Sequence, residues 1–402
     1  MTDDVVDGKT SESDDRRSIV WLIRSSVRRN AARASALGSC DVEAQSGQRP
    51  SFQPDRSLRH NRALFLRGDM PLEIAQSTPT AVSIAALVQD RYGLGNVVES
   101  EFLRRSFNQV YRLSFASGRR VVARLCAERP RGGPNILFEA AALEHWAHVG
   151  CQVSRCVTTA TGEVAIKVLL PEGPRMLMLF DYLDGEFTGE ATADIQAFAH
   201  GMVDLHRGGE SYQGPASDYV LDLDYLLLRP LEGLLRAPSM TDELRPQFEK
   251  LGLRLHDAIL GLGELSRVLC HGDAHGQNNF VVTDAQGQRR AVFFDFDEAG
   301  PGYLAYELAV YPWNLYPRVP DAKVTDKAEM QWKHYISAYR AKRPVADADF
   351  AAIARFMAVR QFWLLGEYAG RVPVWGSQTM PSDQLRRQVA LLRQWETLEL
   401  PA

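Results

Sequence analysis

The chain is poor in cysteine and has no long apolar run. Its five cysteines (Cys40, Cys126, Cys151, Cys156 and Cys270) are an odd number in 402 residues, and none forms a C-x-x-C pair. That excludes a zinc or dithiol centre of that spacing and fits a reducing compartment, so a cytoplasmic protein is expected. No stretch approaches the roughly 18 apolar residues of a membrane span. The apolar run at 19–23 is cut off by Arg24, too short for the core of a secretory leader. Charge of one sign is lacking as well: 46 Lys and Arg against 50 Asp and Glu leave a net charge of -4. Such a balance gives no overall attraction to nucleic acid or to an anionic membrane, and small molecules become the default partners.

What is present is a globular composition, 45% apolar and 9% aromatic, enough for one large two-part core or two ordinary domains. Residues 1–69 differ from the rest. They carry 12 basic and 10 acidic residues, many serines and little apolar periodicity, so a disordered tail is expected there. Within it, 19–37 can form a basic amphipathic helix, and Met70, just before the patterned region, is a candidate start of translation.

From residue 81 the texture changes. An apolar-periodic helix at 82–92 stops at Gly93 and Gly95. Alternating residues at 110–115, a Ser117-Gly118 turn and a return run at 120–125 predict a hairpin. A helix at 135–148 and strands at 164–170 and 175–180 follow. After Gly185 the pattern is helical, at 195–206, 221–235, 242–260, 326–342, 350–368 and 382–398, interrupted by a strand-turn-strand stretch between 268 and 295. The expected fold is α+β and two-lobed: an antiparallel β lobe with one helix over 80–184, then a mainly helical lobe over 186–400, with a ligand cleft between them.

The strongest chemical signal lies in that interruption. His271, Gly272, Asp273, His275 and Asn278 are followed, after a strand, by Phe294, Asp295, Phe296 and Asp297. Phosphoryl transfer explains the layout. An attacking hydroxyl needs a carboxylate to orient it and take its proton, and a triphosphate needs magnesium held by hard oxygen donors. Asp273 suits the first task; Asn278 and Asp295 suit the second. A hairpin between them would bring all three to one edge of the cleft.

The order H-G-D-x-H-x-x-N, strand, F-D-F-D resembles the signature of the aminoglycoside phosphotransferase and choline kinase family, and the resemblance extends over roughly residues 80–375. It implies a kinase-like fold and the use of ATP and Mg2+. It places Ser106 and Asn108 in the turn over the phosphates, Arg124 at the phosphate-contacting cation, and Glu139 as that cation's partner. The hinge would be 181–185, with the backbone of Asp181 and Leu183 bonding the adenine edge. His271 would brace the catalytic loop, and Glu307, standing where the family has aspartate, would support it. Arg124 replaces the more usual lysine, keeping the charge with a larger, forked head group.

The acceptor is expected to be a hydroxyl on a small, amine-containing molecule. Asp297, Glu298, Tyr311 and Trp313 offer an acidic and aromatic wall for it, against the plainer reading that the aromatic residues are core. A Ser/Thr protein acceptor is the alternative within the same fold. A different chemistry, a metal-dependent hydrolase built on His271, Asp273 and His275, is the alternative outside it, although no H-x-H or H-E-x-x-H pair elsewhere completes such a site.

Overall fold

The computed structural model describes residues 72–402 except 130–131 and 376–379. The expected tail, its basic helix and Met70 lie outside the described residues. Helix α1 (Ala81–Tyr92) begins where the Thr80 side chain accepts from the Ser83 N–H, and it ends on Gly93 at φ 62°. A hydroxyl cap and a left-handed glycine are the two inexpensive ways to close a helix. Strands β1 (Val97–Arg105), β2 (Gln109–Phe115) and β3 (Arg120–Leu125) follow as a meander. Helix α2 (Ile136–His148) then crosses before β4 (Cys156–Val157), β5 (Ile166–Leu170) and β6 (Gly173–Asp181). The sheet runs β1-β2-β3-β6-β4, with β5 also on β6, and every pairing is antiparallel.

After β7 (Glu186–Phe187) the chain is mainly helical: α3 (Thr192–Gly209), a π turn at Asp224–Leu228 running into α4 (Arg229–Leu235), and α5 (Arg245–Leu260). Four short strands, β8 (Arg267–Cys270), β9 (Asn279–Thr283), β10 (Arg289–Phe293) and β11 (Gly300–Tyr303), lie between α5 and α6 (Leu304–Leu315). Helices α7 (Asp326–Lys342), α8 (Asp347–Trp375) and α9 (Ser382–Trp395) complete it. Residues from Ile74 onward form one compact unit with an antiparallel sheet lobe and a helical lobe.

Three elements depart from the sequence expectation. Strand β1 is largely exposed and carries two register irregularities against β2, so its side chains never show a clean alternation. Helix α6 is buried on nearly every face and holds Pro312 in its last turn, and a helix apolar all round has no period to read. The stretch from 268 to 295 is not one hairpin: β8 pairs with β11, whereas β9 pairs with β10 and β7. The loop 271–278 therefore bridges two separate small sheets.

His206, near the end of α3, is fully buried and its Nδ1 lies 2.6 Å from the Tyr339 hydroxyl. Burial, with Arg343 adding to it, pushes its pKa down from 6.5 to about 3. Between those values the unfolded chain binds a proton that the folded chain refuses. This contribution to stability is complete above 6.5 and is lost as pH falls towards 3. Urea midpoints should therefore decline below pH 6.5 in the wild type, and His206→Gln should flatten the decline; equal slopes in both proteins would refute the assignment.

Candidate active site

The hairpin β9–β10 sets the geometry. Asn279 pairs with Phe293 at its open end, and one step further the Phe294 N–H donates to the Asn278 carbonyl at 3.0 Å. The residue closing the loop and the residue leaving the strand are thereby neighbours, and Asp295 follows directly. Asp295 sits at φ 67°, a left-handed conformation for a non-glycine residue. Aspartate tolerates that region better than most side chains, and such outliers cluster at functional sites.

The loop is held on three sides. Tyr306 and Glu307, consecutive in the first turn of α6, take the two main-chain groups of Gly272: the tyrosine hydroxyl donates to its carbonyl at 3.2 Å, and Glu307 Oε2 accepts from its N–H at 2.9 Å. His271 Nε2 lies 3.1 Å from the Phe294 carbonyl, which ties the loop to the exit of β10. Gly272 has φ 82°, and a Cβ there would lie 2.2 Å from the Glu298 carbonyl oxygen, so only glycine lets the segments approach. Burial pushes the Glu307 carboxyl up, opposed by His271 and by the Gly272 N–H.

Asp273 projects from this loop. The Asn278 side-chain amide donates to its carbonyl at 3.0 Å and to its Oδ2 at 3.1 Å. Its Oδ1 pairs with Arg360, from the middle of α8, whose other arm reaches the Tyr306 hydroxyl at 2.9 Å. His275 Nε2 is 3.8 Å from Asp273 Oδ2, and burial lowers its pKa with Asp273 opposing.

From the sheet lobe, Arg124 on β3 forms a buried two-armed pair with Glu139 on α2, its Nη1 at 2.8 Å and Nη2 at 2.5 Å from the two carboxylate oxygens. Burial works against the charge on Arg124, but Glu139 raises its pKa well above normal; on Glu139, burial pushes up and Arg124 pulls down. The forked geometry favours the ionised pair. Arg124 Nη1 also lies 3.5 Å from Asp295 Oδ1, and Arg104 on β1 reaches Asp295 Oδ2 at 3.0 Å. Asp273, Asn278, Asp295, Arg124 and Glu139 are thus brought into one cleft.

The turn at 106–108 is closed by the Ser106 N–H donating to the Asn108 carbonyl at 3.0 Å. The buried Asn108 amide is already engaged, accepting from the Ala127 N–H at 2.9 Å and donating to Asp297 at 2.7 Å. It clamps the turn, and its side-chain amide is spent on that task. At the end of β6, the Asp181 N–H donates to the Arg155 carbonyl, and its own carbonyl accepts from Ser154 Oγ at 2.8 Å, keeping a second lone pair. Leu183 lies two residues on.

The wall offered to an amine is arranged differently. Arg129 pairs with both Asp297 and Glu298, so one cation is shared between these two carboxylates. Tyr311 is buried against Phe198 and Tyr335. Trp313 donates to Gln361 and carries guanidinium groups rather than an open face. Arg104, Arg129 and Arg360 were missed by sequence reasoning: Arg360 stands 87 residues from Asp273 in a later helix, with no motif to flag it.

A two-lobed fold with a catalytic loop, a strand-end aspartate and a paired cation from the sheet defines a kinase-type phosphotransferase. The chain belongs to the phosphotransferase enzyme family (APH), whose model matches residues 101–345. An uncharacterised protein of Deinococcus radiodurans is 32% identical over 322 residues, covering 79% of this chain and 90% of its own length. Among solved structures, an amicoumacin kinase in complex with AMP-PNP, Ca2+ and Ami superposes with a TM-score of 0.61 at 19% identity, covering 79% of this chain and 93% of its own. A microcompartment-associated aminopropanol kinase gives 0.59 at 17% identity, covering 78% and 95%. A choline kinase from Cryptosporidium parvum gives 0.54 at 13%, covering 79% and 95%. Membership displaces the metallohydrolase alternative, and among the described residues no group of three or more His, Cys, Asp and Glu could hold a metal ion.

Glu139→Gln would leave Arg124 charged and buried with half its partner, and breaking such a pair costs about 3–5 kcal/mol. Urea unfolding should show a loss approaching that size, and an Arg124→Met/Glu139→Met double variant should recover much of it. Equal stability of wild type and Glu139→Gln would mean the pair carries no weight.

Proposed function

We propose that the protein transfers the γ-phosphoryl group of ATP to a hydroxyl of a small molecule, with Asp273 as the base. The observation that carries this reading is the contact between Asp273 and Asn278, with Asp295 held opposite Arg124 by the β9–β10 hairpin. The neighbours' substrates support it, since the proteins of similar fold are kinases of amicoumacin, aminopropanol and choline.

In this reading the acceptor hydroxyl donates to the Asp273 carboxylate, which has acceptor sites beyond those used by Arg360 and Asn278. As the hydroxyl oxygen bonds to the γ-phosphorus, its proton passes to Asp273 and the bond to ADP breaks. Arg124 is placed to meet phosphate oxygens, and Glu139 fixes its direction. The turn at 106–108 covers the phosphates with main-chain N–H groups, and an adenine edge meets the Asp181 carbonyl and the Leu183 N–H.

The donor chemistry fits a magnesium ion. The Asn278 amide nitrogen is anchored to Asp273, which turns its oxygen the other way, and Asp295 supplies a carboxylate. Two hard protein oxygens suit an ion that takes its remaining ligands from phosphates and water, and when bound it neutralises charge on the transferring group.

Asp273→Asn should leave nucleotide affinity within about twofold and lower kcat by on the order of 10² to 10⁴. Isothermal titration with a non-hydrolysable ATP analogue and an ADP-release assay measure the two. Wild-type turnover in Asp273→Asn would remove the base from the proposal.

A further inference from the structure

The cleft wall beyond Asp273 is cationic. The Arg318 guanidinium, in the segment after α6, lies 4.3 Å from the centre of the Trp313 ring, and that of Arg360 lies 5.3 Å from the same ring. The two cations differ. Arg360 is paired with Asp273 and rests 4.0 Å over Trp363. Among the described residues no carboxylate forms an ion pair with Arg318, and Arg360 repels it. Burial, with Arg360 adding to it, pushes its pKa down to about 10. Arg318 shares the Trp313 ring with Arg360, the partner of the base.

Arg318 is half-buried, and the planar fork of a guanidinium matches a carboxylate. The acidic residues that an amine would need already share Arg129, and Asp297 also accepts from Asn108. We propose that Arg318 anchors a carboxylate of the acceptor, so that the molecule phosphorylated here is a small hydroxy acid whose hydroxyl reaches Asp273. This inference rests on the kinase reading above and goes beyond it in naming the acceptor's charge.

The test uses the full chain with magnesium and ATP and three matched series: short hydroxy carboxylates, their neutral amides, and amino alcohols in which an ammonium replaces the carboxylate. Transfer is followed by ADP release and by phosphorus NMR of the product. The wild type should favour the acids over the amides by about tenfold or more in kcat/KM, the size of one charge-assisted contact. Arg318→Met should raise KM for the acid by a similar factor and erase the preference, and Arg318→Lys should restore part of it. Nucleotide-dependent thermal shifts check that each variant is folded. Preference of the wild type for amino alcohols or amides overturns the inference and leaves the kinase reading intact, as does an unchanged acid preference in folded Arg318→Met. A wild type that neither binds magnesium-ATP nor phosphorylates any series overturns the kinase reading and this inference with it.

Discussion

The buried pairing of Arg124 with Glu139 is the constraint on which the rest of the cleft depends. It joins β3 to α2 inside the sheet lobe and leaves one guanidinium arm directed at Asp295 in the helical lobe. Without the carboxylate behind it, the arginine would have neither a fixed direction nor a reason to remain in a buried position. An arginine suits this place, because a fork can hold a carboxylate on one side and still meet an oxygen on another, whereas an ammonium is a point charge.

The helical lobe meets this cation with a loop that has little freedom. Consecutive residues of α6 saturate both main-chain groups of Gly272, and the glycine admits no side chain without collision. The β9–β10 ladder then makes Asn278 and Phe294 adjacent as a matter of register, so the position of Asp295 follows from backbone pairing rather than from side-chain choice. A precise arrangement of polar groups is thus obtained from short strands and one rigid turn, the elements least subject to drift.

Much of this was legible in the sequence because its chemistry is local. The loop residues lie within eight positions of one another, and Asp295 lies one hairpin further, so spacing alone suggested their convergence. The capped helix α1 and the β2–β3 hairpin were legible for the same reason, each carrying its own turn chemistry. What escaped was non-local or aperiodic. Arg360 and Arg129 meet their carboxylate partners only through tertiary packing, and β1 and α6 lack the contrast between faces that periodicity needs. The surroundings of the acidic wall escaped for a related reason: composition shows that Asp297 and Glu298 are present, but not that they share one arginine.

The pairing of Arg104 and Arg124 with Asp295, and of Arg360 with Asp273, has a consequence for how a ligand enters. Each carboxylate of the chemical centre already has a resident counter-ion, so the cleft carries little uncompensated charge while it waits. In the proposed reaction, an incoming phosphate would compete with Asp295 for these arginines, and the carboxylate would then be available to a metal ion. Pairing of this kind spares the protein the repulsion of bare acidic groups facing one another across the lobes.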